Sequence, residues 1–222
     1  MENLPSYIAI AFGLITFLNV YLFYKASKYP TITLIVLLGW LLLQAVLGLQ
    51  LFYTVTDVMP PRFIFLLAPT LVVMIGLFAT SKGRQYLDSL DVKTLTLLHI
   101  VRIPVELLLF QLFVYKTVPE LMTFEGRNFD ILSGLTAPVV YYFGYVKNVI
   151  SKKMILVWNF LCLGLLFNIV TNAVLSAPLP FQQFAFDQPN IAVLYFPFVW
   201  LPCCVVPLVL FSHLVSIRQL LK

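Results

Sequence analysis

Apolar residues fall along this chain in long unbroken runs, separated by short segments that hold almost all of its charges. Seven runs stand out, at 4–24, 31–54, 63–80, 94–115, 129–146, 154–176 and 191–217. Most reach the roughly 20 residues that a helix needs to cross a hydrocarbon core about 30 Å thick. Lipid offers the backbone no hydrogen bonds, so each run must be a helix or a strand of a closed barrel. Continuous apolarity without two-residue alternation rules out the barrel. The pattern predicts an all-α integral membrane protein, a single seven-transmembrane-helix bundle that occupies residues 1–222 as one domain.

Charge orients that bundle. Lys25, Lys28, Lys82, Arg84, Lys93, Lys147, Lys152, Lys153, Arg218 and Lys222 fall on one side of the predicted spans. Arg62, Lys116 and Arg127 fall on the other, and Arg102 lies within a span, which accounts for all 14 basic residues. Cytoplasmic loops retain positive charge. The sorting therefore predicts an N-terminus outside and a C-terminus inside a multi-pass, cytoplasmic (inner) membrane protein. Composition agrees: 61% of residues are hydrophobic and 10% charged, against about half and a quarter in soluble domains. The net charge of +5 is thus topological and does not point to nucleic acid. No basic residue precedes the first apolar run and no small-residue cleavage site follows it, so that run reads as a retained helix. Cys162, Cys203 and Cys204 sit in apolar runs without CxxC spacing and read as buried thiols.

The fourth run, TLTLLHIVRIPVELLLFQLF, holds the strongest chemical signal. At 100° per residue His99, Arg102 and Glu106 share one helix face. Ionisable groups at such depths face a bundle interior or a wet cavity and mark functional sites. Arg102 and Glu106 have the spacing of an internal ion pair, with Pro104 between them to distort it. His99 and His213 should both lie about 8 Å from the cytoplasmic edge. Facing imidazoles at one level suit the axial ligands of a b-type haem, another metal, or a pair of unconnected hydrogen-bonded histidines.

A second polar group gathers toward the outer face: Tyr53 on the second run, Asn168 and Asn172 on the sixth, and Glu120, Glu125, Arg127, Asn128 and Asp130 in and after the loop TVPELMTFEGRN. These residues predict an outward-opening cavity with Arg102 and Glu106 as its floor; the alternative is plain helix-to-helix hydrogen bonding. HExxH, GxSxG and Walker motifs are absent, and the seventh run has no lysine for a retinal Schiff base. The pattern favours a pocket that binds or transforms a small amphipathic or lipid-like molecule, with Arg102 holding an anionic or carbonyl group and Glu106 as counter-charge or proton carrier. The competing readings are a haem or metal protein using His99 and His213, and a receptor-like or assembly protein acting through its outer loop.

Overall fold

The structure, a computed structural model, describes residues 4–222, and among these every regular element is helical. In chain order the helices are α1 (Ser6–Ala26), α2 (Thr31–Leu49), α3 (Ile64–Ala79), α4 (Ser81–Ser89), α5 (Val92–Val114), α6 (Ile131–Val146), α7 (Lys152–Leu175) and α8 (Leu201–Leu220). Five of them, α1, α2, α5, α7 and α8, are long and apolar enough to cross a membrane. The bent pair α3 and α4 makes a sixth span if taken together. At 1.5 Å per residue α3 and α6 each reach only about 24 Å.

Several boundaries differ from those expected of the sequence, each for a local reason. The second run ends as helix at Leu49 because Leu51 turns left-handed, with φ of 57°. The third run stops at Ala79, and the chain turns through 96° into α4, which is a polar helix where a plain loop is expected. Thr80 caps α4 by accepting from the Gly83 amide. Gly83 is required there, since a Cβ would lie 2.2 Å from the Leu77 carbonyl oxygen. The seventh run becomes continuous helix only at its Trp200–Leu201 step; residues 195–199, which include Pro197, are irregular. Pro202 then opens α8 with a short π-helical stretch.

α8 is the most buried span and α2 the least. α8 packs against α3, α5 and α7, while α5 packs against α1, α6 and α8, so these two helices form the centre of the bundle. Gly134 lets α6 approach α5 closely, because a Cβ there would meet Ile103 Cγ1 at 2.8 Å. On the other flank α2 faces outward through Ile32, Ile35, Val36 and Leu42, the surface a bilayer would cover. At the charged end, Arg218 donates to Asp88 at 3.0 Å and Lys222 pairs with the same carboxylate. These two cations hold the Asp88 carboxyl below its ordinary range, and they tie α4 to the end of α8.

Prolines inside α3 and α8 leave carbonyls without an intrahelical donor. The carbonyl freed by Pro207 belongs to Cys203, and it accepts from Trp40 Nε1 at 2.9 Å. The one freed by Pro69 belongs to Phe65, and it accepts from Gln44 Nε2 at 3.5 Å. Both donors stand on α2, one turn apart. Gln44 Oε1 in turn accepts from the Tyr53 hydroxyl. Trp40→Phe should therefore cost about 1 kcal/mol of stability in detergent. Against Pro207→Ala, which restores the helix's own donor, the same change should cost little; equal penalties in both backgrounds would show that the indole bond contributes nothing.

Candidate functional site

The C-terminal part of α5 meets the loop that leads into α6, and four of the residues singled out from sequence converge there. Arg102 lies where a single 3-10 turn, His99–Val101, joins the two parts of α5. Its Nη1 donates to Asp130 Oδ1 at 3.0 Å, and its Nη2 lies 3.1 Å from His213 Nε2. Glu106, one turn further along α5, accepts from Asn128 Nδ2 at 2.5 Å, and the Asp130 amide donates to Asn128 Oδ1 at 3.0 Å. All four side chains are buried. The expected Arg102–Glu106 ion pair is thus not formed. The loop carries Asn128 and Asp130 down onto α5, and each gives one of the two charged residues a closer, better-aimed partner than the helix offers its own side chains.

The hydrogen-bond roles follow from chemistry. A guanidinium only donates, so His213 Nε2 must accept. That fixes His213 as the neutral ring with its proton on Nδ1, which then donates to Asn159 Oδ1 at 2.9 Å. Asn159 completes the chain by donating from Nδ2 to the Ile155 carbonyl. The His99 ring stacks on that of His213, with centroids 3.8 Å apart and planes 17° from parallel, and Trp158 meets the His99 ring edge-on. Among the described residues neither nitrogen of His99 has a hydrogen-bond partner.

This arrangement does not fit the haem or metal expected of His99 and His213. Axial ligation needs two ring nitrogens aimed at an ion from opposite sides. Here the rings lie face to face with no gap between them, and both nitrogens of His213 are engaged. Among the described residues no group of three His, Cys, Asp or Glu is placed to hold a metal. The three cysteines are free and buried.

Glu106 and Asp130 line an apolar pocket in the cleft between α3 and α7, both of which rest on α8. Counting its open mouth, the unfilled space amounts to about 600 Å³. Val105, Leu109, Leu166, Ile169 and Val206 supply much of the wall. Arg102 is not part of the lining, contrary to the expectation that it holds an anionic ligand group, because its two terminal nitrogens are spent on Asp130 and His213. The remaining expected pocket residues are elsewhere. Glu120, Glu125 and Arg127 are exposed on the loop before α6. Asn168 donates to the Arg127 carbonyl at 2.8 Å and accepts from Asn172 at 3.4 Å, which ties α7 to that loop. Tyr53 belongs to the α2 cluster with Gln44.

Two participants escape a reading of the sequence. Asn159 is a single amide in an apolar helix, and its depth on α7 was the available signal. Asn190 lines the pocket from the loop before α8; its Nδ2 donates to the Ala173 carbonyl, and its Oδ1 has no partner among the described residues.

Breaking a buried pair from one side leaves a charge without compensation. Arg102→Met should destabilise the protein by about 3–5 kcal/mol, read as a large drop in the unfolding midpoint in detergent. The double change Arg102→Met with Asp130→Leu should recover most of that loss. A double variant no better than the single one would show that the two residues are not coupled.

Residues 59–221 match the sequence profile of a family described as "Domain of unknown function (DUF8737)". No curated protein and no solved structure matches the chain. The matched segment covers most of the sequence, so the chain belongs to that family.

Proposed function

We propose that this member of the family is a membrane protein whose intramembrane pocket binds or transforms a small amphipathic or lipid-like molecule. The observation that carries the reading is the pocket itself: an apolar cleft between α3 and α7 with two carboxyl groups in its wall. Carboxyls are costly within a membrane and are kept where they act on something. A ligand with an alkyl portion would bury against Leu109, Ile169 and Val206, and its polar end would meet Glu106.

The same proposal includes seven crossings, with α3 and α6 as the short ones, the N-terminus outside and the C-terminus cytoplasmic. The ten-to-three sorting of basic residues supports it, as does the placement of Lys82 and Arg84 on α4 beside the C-terminal Arg218 and Lys222. Single cysteines at Glu125→Cys and Asn148→Cys should react with a membrane-impermeant maleimide from the outside and the inside respectively. Labelling of both from one face would mean that α6 does not cross.

The pocket reading is tested by native mass spectrometry of the protein released from its own membrane. The chain should retain a bound amphiphile, and Ala173→Trp, which fills the cleft, should lose it while unfolding at a similar temperature. A bare chain, or the same adduct on the filled variant, would remove the reading.

A further inference from the structure

The side-chain polar atoms left free at the pocket are all oxygens. Glu106 uses Oε2 to accept from Asn128, and Asp130 uses Oδ1 to accept from Arg102. The second oxygens, Glu106 Oε1 and Asp130 Oδ2, take part in neither of these bonds. Asn190 spends its donor on the Ala173 carbonyl and leaves Oδ1 open. A buried acceptor left unpaired, as Asn190 Oδ1 is, is costly, and a ligand that brings donors would serve it and the free carboxylate oxygens beside it.

Charge points the same way. One guanidinium stands beside two carboxyls, and Asp130 takes it. His213 is held neutral by the proton it lacks on Nε2, and Asn128 offers Glu106 only an amide. A second cation is what the cluster lacks. An anionic head group would meet two carboxyls and find no free positive group, since Arg102 is outside the lining and its terminal nitrogens are occupied. A misplaced like charge in a desolvated site discriminates strongly between ligands.

We infer that the pocket selects an amphiphile with a cationic, hydrogen-bond-donating head, of the long-chain amine class, and that Glu106 is the residue that pairs with it. This rests on the pocket reading above and specifies its ligand. The amine would stand to Glu106 as Arg102 stands to Asp130, giving the cluster two ion pairs side by side. Asn190 Oδ1 supplies a further acceptor for the same head.

Dodecylamine, dodecanol and dodecanoate share one chain and differ in the head alone. They are presented to the full chain in phosphatidylcholine nanodiscs at about pH 8, where the amine and the carboxylate are both charged, and the molecules retained are counted by native mass spectrometry. Dodecylamine should be held at least about tenfold more tightly than dodecanoate, the factor that ~1.4 kcal/mol of selectivity produces. Glu106→Gln should erase that preference. Dodecanoate held as well as the amine would overturn the inference and leave the pocket intact. An amine preference that survives in Glu106→Gln would overturn the role of Glu106. If none of the three is held above the level of Ala173→Trp, the pocket reading itself falls. The comparison of the three heads on the unmodified chain needs no variant, so it decides the selectivity even where Glu106→Gln fails to fold.

Discussion

A guanidinium within a bilayer cannot be left to find water. Arg102 therefore dictates what comes to meet it: a carboxylate from the loop before α6 and an imidazole from α8. Those two contacts join three segments far apart in the chain. The loop that delivers Asp130 also delivers Asn128 to Glu106, and the imidazole that accepts from Arg102 needs Asn159 on α7 to receive its remaining proton. One donor-only group thus fixes the tautomer of His213, the orientation of Asn159 and the depth to which the loop before α6 enters the bundle. Replacing the charged pair by well-packed apolar residues is often tolerated in proteins, whereas removing one partner is not. The network is accordingly better understood as a specification of geometry than as a store of stability.

The same rule governs the backbone. Proline creates carbonyls that lipid cannot serve, and the fold answers each with a side chain from a neighbouring helix, Trp40 for Cys203 and Gln44 for Phe65. Where the chain has no such donor it changes its own pitch, by a 3-10 turn at His99–Val101 ahead of Pro104 and by π-helical stretches beside Pro138 and Pro202. The first of these irregularities precedes Arg102, and the last brings Leu201 and Pro202 into the wall of the pocket.

Hydropathy made the helical membrane character legible, because the length of an apolar run is a direct consequence of bilayer thickness. It did not reveal that the chain turns through 96° between α3 and α4 or that α8 begins ten residues late, since both depend on where prolines and one close glycine contact force the chain to turn. Within the site, helical periodicity puts His99, Arg102 and Glu106 on one face, and all three are buried. It then suggested the wrong partner for Arg102, because periodicity describes neighbours on one helix and is silent about a loop folding inward. The two histidines fall at one level, as depth counting implies, but counting residues gives height and not ring orientation, so stacked imidazoles were indistinguishable from facing ligands. Asn190 was invisible for a related reason: in a polar loop one more amide carries no signal until the loop is seen against the cleft.

The two donors on α2 have a mechanical consequence. This helix faces lipid along most of its length, and lipid contacts alone would let it rotate or slide almost freely. Trp40 and Gln44 are about 6 Å apart along the axis and reach into two different helices, α8 and α3. A slip of one residue would turn both donors by about 100° and carry them about 1.5 Å along the axis, breaking the two bonds together. α2 therefore behaves as a keyed peg: loosely packed, yet held in one register, and with it the relative position of the two helices that form one wall and the floor of the cleft.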